Sequence, residues 1–295
     1  MTADKPTSAT GQSAPAFELF QPEAPESPVV VEVPHAALRL DPATMALCIA
    51  PVRSIGQDAD LFVDQLYQNA PQWGAHLLAG TFSRYVCDLN RDENELDQLT
   101  APSGQLESSP HGVIWRKSTE GRACLAAPLS EGEVERRLSQ YYRPYHLALT
   151  QLIAEKKKKF GFALLLCAHS MPSLGRLGER RADVVPGSRG CTTTSQRVLV
   201  ALEHVASQAD YDIAHDAPYR GGFTTAHFGF PSAGIHAVQV ELSRRLYMDE
   251  STLEQKPAEF RRCREFCDAL VQALGALRLN PDGHLVGPDD SPRAR

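Results

Sequence analysis

Two histidines and a glutamate stand where strands of this chain are expected to end. VVVEV at Val29–Val33 runs into Pro34-His35. The apolar run 162–168, FALLLCA, runs into His169, and HAVQV at 236–240 runs into Glu241. In open α/β sheets the carboxyl ends of the strands are where ligands bind. Imidazole and carboxylate donors from separate strands are also the ligand types of a hydrolytic metal site, which takes three protein donors and keeps one position open. Neither histidine has a ligating residue three or four positions on, since Leu38 follows His35 and Ser173 follows His169 at those spacings. The third donor therefore comes from elsewhere. The acidic stretch DADLFVDQLY offers Asp58, Asp60 and Asp64. Asp60 is the choice, as a residue in a first helical turn that can point toward the sheet edge. Asp58 is second, with simple helix capping as its competing role.

Glu241 lies in QVEL, where the alternation places it on one face with Gln239 and away from Val238 and Val240. A carboxylate beside an activated water can act as general base and then as acid toward a leaving amine. A salt bridge to Arg244 or Arg245 is the competing reading. Arg84 and Arg91 flank YVCDLN. A guanidinium grips a carboxylate through two parallel hydrogen bonds, so this pair suits a small carboxylate-bearing substrate. Asn90 adds a further donor.

The elements that must position these groups alternate between strand and helix patterns, which predicts an α/β fold with a mixed central sheet covered by helices on both faces. Val29–Val33 and 162–168 read as buried strands, His76–Gly80 and 85–89 as further strands, and 235–242 as the strand carrying Glu241. Residues 58–70 are expected to be one helix, with Val63, Leu66, Tyr67 and Ala70 on its inner face. Ser130 and Glu133 form a capping box opening a helix that kinks or breaks near Pro144, continues through Leu147, Leu149, Leu152 and Ile153, and closes at Lys156–Lys159, where cations suit a helix C-terminus. Residues 195–208 and a long segment with Phe260, Cys263, Cys267, Leu270, Leu274 and Leu277 on one face complete the helices. Residues 92–112, 176–189 and 219–230 read as loops. Residues 1–16 are expected to be a disordered tail, 17–280 a single domain, and 281–295 a frayed end.

Over its 295 residues the chain has a net charge of −6, which argues against a nucleic-acid partner. No run reaches the about 18 apolar residues of a membrane span, and the N-terminus has no secretory hydrophobic segment. Seven cysteines without a CxxC pair predict reduced thiols and a cytoplasmic location. No nucleophile elbow of the G-x-S-x-G kind and no phosphate-binding glycine loop is present.

The ordered series VEVPHAAL, DADLFVDQLY, FSRYVCDLNR, YYRPYHLAL, CAHSMPS, ADVVPGSRG, PYRGGFTTAHFG and HAVQVELSRRLYMDE resembles the N-formylglutamate amidohydrolases, from about residue 17 to about residue 250. That family is related to the zinc carboxypeptidases and to the succinylglutamate desuccinylase and aspartoacylase group. The resemblance implies a phosphorylase/hydrolase-like α/β fold and one divalent metal, zinc. It matches His35, Asp60 and His169 to metal-ligand positions, Glu241 to the catalytic carboxylate, and Asn90-Arg91 to a substrate clamp. The implied reaction is hydrolysis of a small N-acyl amino acid, N-formyl-L-glutamate first. A less acidic substrate, as in a carboxypeptidase-like hydrolase, and a non-catalytic metal-binding relative are the alternatives. Two positions depart from the family pattern: Ala226 stands where an arginine is common, and Phe62 where a histidine is.

Overall fold

The computed structural model describes residues 14–105 and 109–288. Its main sheet is built from β1 (Phe17–Phe20), β2 (Val29–Val33), β3 (His76–Gly80), β4 (Ala163–Met171), β5 (Val184–Gly187) and β6 (Ile235–Ser243). They form one mixed sheet in the order β1-β3-β2-β4-β6-β5, with the four inner strands parallel and both edge strands antiparallel. The helices are α1 (Pro42–Leu47), α2 (Val52–Asp58), α3 (Val63–Leu66), α4 (Glu131–Arg137), α5 (Arg143–Phe160), α6 (Gln196–Gln208), α7 (Phe223–Phe228) and α8 (Pro257–Gly275).

Alternation along the buried strands feeds two cores. Val29, Val31, Leu164, Leu166, Val238 and Val240 pack against Leu202 of α6 and Cys263, Cys267 and Leu270 of α8. Val30, Leu165, Cys167 and Ala237 face the other way, onto Tyr145, Leu149 and Ile153 of α5. Successive side chains of a strand point to opposite faces, so a continuous apolar run needs helices on both sides, and this one has them. From β2 the chain passes to β3 on one side, and later to β4 on the other. The strand order therefore reverses between β2 and β4, which opens a crevice at their carboxyl ends.

Four expectations are corrected. Residues 58–70 are not one helix: α2 ends at Asp58, a turn follows, and α3 begins after Phe62, which sits at φ 67°. The Asp60 amide donates to His35 O at 2.9 Å, outside any helical ladder. Tertiary bonding thus overrides an apolar period that by itself reads as helix. Residues 85–89 form turns rather than a strand: Val86 N bonds back to Ser83 O, Arg137 donates to the Tyr85 and Val86 carbonyls, and the Asp88 amide makes a single bond to Val113 O, so no ladder is built. β4 continues through His169 to Met171, since β6 pairs with it over nine positions. The stretches 176–189 and 219–230 contain β5 and α7 respectively.

Of the expected N-terminal tail, residues 1–13 lie outside the described residues, while Ala16 O accepts from Thr81 N beside β1. At the other end Leu285–Val286 pairs with Arg278–Leu279, and residues 289–295 lie outside the described residues. Within the lysine run, Lys156 is buried and donates to Ser27 O at 2.6 Å. Among the described residues no helix is long and apolar enough to cross a membrane.

Candidate active site

His35 leaves β2 at the crevice, and His169 stands on β4 beside it, their ring centroids 5.1 Å apart. Asp60 reaches between them from the turn linking α2 to α3. Its Oδ2 lies 3.0 Å from His169 Nδ1 and 3.6 Å from His35 Nδ1. One ligand atom from each of these three residues falls within 4.8 Å of the others, and all three residues are buried. His35 Nδ1 is buried without a hydrogen-bond partner. Such an atom normally has one, so its orphaning beside an imidazole and a carboxylate fits a group able to hold a metal ion.

Several side chains fix this group from behind. His35 Nε2 lies 2.8 Å from Asp88 Oδ1, and Asp88 also accepts from Trp115 Nε1 at 2.9 Å and from the Asn90 amide at 2.9 Å. This carboxylate sets the orientation of the imidazole, as outer partners of metal-ligating histidines do. Arg244 donates to Gln57 O and Ala59 O at 2.6 and 2.8 Å, and its Nη2 lies 3.4 Å from Asp60 Oδ1. It clamps the turn that delivers Asp60. Burial alone would raise the Asp60 pKa, but His169, His35 and Arg84 hold it well below the usual carboxylate range. His169 is opposed by burial in carrying charge, yet Asp60 and Glu241 raise its pKa.

Glu241 is directly opposite His169 in the β4–β6 register and is buried. Burial pushes its pKa up; His169 opposes this and the Asp60 charge adds to it. Its Oε1 accepts from Gln239 Nε2 at 2.7 Å. The competing salt bridge is absent from the described contacts: Arg244 serves the Asp60 turn, and Arg245 pairs with Asp183.

A cleft of about 310 Å³ opens in front of these residues. All of the sequence-derived site residues line it, His35, Asp60, Arg84, Asn90, Arg91, His169 and Glu241 among them. Their situations differ. Arg84 is committed to the site's own anions, 3.4 Å from Asp60 and 4.0 Å from Asp88, with its guanidinium over Trp115. Asn90 is held by the Thr224 amide and hydroxyl at 3.0 and 3.1 Å, and its Nδ2 lies 3.2 Å from His169 Nε2. Arg91 is partly exposed at the cleft and lies 3.2 Å from Glu95. Asp58 accepts from Tyr85 OH at 2.6 Å and from Thr119 N at 3.0 Å, so it braces the wall.

Sequence reasoning missed Asp88, Gln239, Arg220 and Arg244. For Gln239 the signal was available, since strand alternation already put it beside Glu241. Arg220 lines the cleft with no ion pair among the described residues, and nothing in YRGG marks it in advance. The two departures from the family pattern lie elsewhere: Phe62 packs edge-on against Phe260, and Ala226 is within α7.

Residues 27–248 match the family model described as N-formylglutamate amidohydrolase. The chain is 32% identical over 228 residues to the N-formylglutamate deformylase of Pseudomonas aeruginosa, covering 76% of this chain and 83% of that protein. The deformylase of Pseudomonas putida is 31% identical over 233 residues, with the same coverage of 76% and 83%. The crystal structure of N-formylglutamate amidohydrolase from Ralstonia eutropha superposes with a TM-score of 0.81 at 28% identity, covering 89% of this chain and 98% of that one. A protein from Agrobacterium tumefaciens shares the fold, with a TM-score of 0.63 at 20% identity over 88% of this chain and 96% of its own. The order of strand-end residues, the crevice they line and these likenesses agree: the chain belongs to the N-formylglutamate amidohydrolase family.

Proposed function

We propose that this protein hydrolyses the amide bond of N-formyl-L-glutamate, releasing formate and L-glutamate, with one divalent metal, zinc, held by His35, Asp60 and His169. The observation that carries this reading is the buried His-Asp-His group with an enclosed glutamate in strand register beside it. Two imidazole nitrogens and one carboxylate oxygen form a donor set that zinc favours in hydrolytic sites. A divalent cation there supplies Lewis acidity for the acyl carbonyl and makes water a nucleophile near neutral pH.

The remaining roles fall to the protein's own groups. Glu241 takes a proton from the attacking water and returns it to the amine nitrogen as the C–N bond breaks. Its burial suits it to carry that proton. Arg91 and Arg220 hold the substrate carboxylates at the cleft mouth, while Arg84 and Asn90 line the inner wall. Arg84 is mostly engaged with Asp60 and Asp88, so its share in substrate binding is smaller than that of Arg91. A cytoplasmic location is supported by seven free cysteines.

Formate release from N-formyl-L-glutamate, compared with N-formyl derivatives of neutral amino acids and with elemental analysis of the purified protein, tests this reading. Preferred turnover of the dicarboxylate with about one bound metal is expected. Equal turnover of neutral analogues would refute the carboxylate assignment, and full activity in metal-free protein would refute the metal. Arg91→Ala and Arg220→Ala are each expected to raise KM for formylglutamate about tenfold with a smaller change in kcat.

A further inference from the structure

Gln239 precedes Glu241 by two residues on β6, so both side chains leave the same face of the sheet. It is buried, and its amide is engaged at both ends. Nε2 donates to Glu241 Oε1 at 2.7 Å, while Oε1 accepts from Gly222 N at 2.8 Å and from Asn90 Nδ2 at 3.3 Å. The orientation of this amide is not arbitrary. A backbone N–H can only donate, so the oxygen must face Gly222 and the nitrogen must face the glutamate.

Gly222 belongs to the segment 219–222 that lines the cleft and carries Arg220. That segment is closely packed, against the sheet backbone at Gly187 and against the Asn90 side chain at Gly222. A Cβ on Gly222 would meet Asn90 Nδ2 at 2.3 Å, and one on Gly187 would meet Gly221 N at 2.5 Å. Gly221 holds φ +98°, which other residues rarely adopt. The loop meets the sheet backbone at Gly187, and Gln239 is the side chain that joins the Gly222 amide to Glu241. Glu241 Oε2 has no hydrogen-bond partner among the described residues, so fixing Oε1 leaves Oε2 to face the reacting water.

We propose that Gln239 is a positioning residue for the hydrolysis inferred above: one end of its amide aims Glu241, and the other seats the substrate-facing loop 219–222. The proposal rests on that reading of the reaction for its kinetic test, and on the loop contact alone for its structural one.

Two near-isosteric substitutions separate the two ends in the metal-loaded enzyme. Gln239→Glu keeps an acceptor for the Gly222 amide and replaces the fixed amide donor to Glu241 with a second carboxyl group, which donates only when it holds the proton the pair shares. Gln239→Leu loses both. For Gln239→Glu, kcat is expected to fall about tenfold or more with KM within about threefold of the parent. For Gln239→Leu, kcat is expected to fall as far and KM to rise about tenfold as well. Bound metal should be unchanged in both. Unchanged kcat in both variants, or equal changes of KM in the two, would overturn the assignment.

Amide hydrogen exchange over residues 219–222 provides a readout that does not depend on turnover. Exchange there should accelerate in Gln239→Leu and stay near parental rates in Gln239→Glu; identical exchange in all three proteins would remove the loop-seating role. A parent enzyme inactive on N-formyl-L-glutamate would overturn the reaction reading, and the exchange comparison would still decide the strut.

Discussion

Two buried carboxylates flank the histidines and are made different by their neighbours. Asp88 accepts three hydrogen bonds, from His35, Trp115 and the Asn90 amide. Burial would raise its pKa, but the charges of His35, Arg84 and Arg91 hold it far below the usual range, so it is a fixed anion. Glu241 accepts from Gln239 and stands near a second carboxylate, and its pKa is raised. Carboxyl groups driven apart in this way divide into a structural anion and a proton carrier. Asp88→Asn should therefore weaken metal binding about 10- to 100-fold, read by titration against a chelator. Glu241→Gln should lower kcat by about 100-fold or more at unchanged metal content. Near-parental turnover in the second variant would take Glu241 out of the chemistry. Of this pair only Glu241 was legible in the sequence, because it lies late in an apolar strand pattern, as His169 does in another. Asp88 sits in YVCDLN with no pattern pointing at His35, 53 residues away.

Among the elements, the short ones carry most of the site. The turn between α2 and α3 delivers Asp60, and the loop before α7 closes the cleft. Both are shaped by what they touch. Arg244 holds the carbonyls of the first, while Gln239 and Asn90 hold the second. Gly222→Ala would place a methyl group 2.3 Å from Asn90 Nδ2, on a side chain that its contact with Thr224 holds in place. The loop must shift, so a loss of about 1–3 kcal/mol in stability and a fall in kcat/KM are expected. A thermal melt and a kinetic assay indistinguishable from those of the parent protein would show that the loop has room to adjust. The same contacts explain why an apolar period over residues 58–70 misled: it records which side chains are inward, and two helices separated by a turn can satisfy it.

The whole molecule carries its own pH signature. His76, His146 and His236 are held to pKa values of about 4 from 6.5, in each case chiefly by burial, with Lys156 adding at His76 and His227 at His146. These imidazoles are neutral in the fold and bind protons more readily once unfolded. Their contribution is complete above about pH 6.5 and is lost as pH falls from there toward 4. At pH 5 the cost is up to about 2 kcal/mol for each. The melting temperature should therefore drop between pH 7.5 and pH 5, with uptake of up to about three protons on unfolding. A flat melting temperature over that interval would mean that these residues accept charge inside the fold.

By itself the sequence determined the buried strands, the apolar face of α8, a histidine close after β2 and another late in β4, and the shared face of Gln239 and Glu241. Each of these is written in spacing along a few residues, because backbone geometry fixes which side chains point the same way. Only the tertiary structure decided that strand order reverses between β2 and β4, that Asp60 rather than Asp58 meets the histidines, and that Asp88 backs His35. It alone brought Arg220 to the cleft and Arg244 to the Asp60 turn. Those pairings join polar groups far apart in the chain, and a buried donor or acceptor is satisfied by whatever the packed elements place within reach.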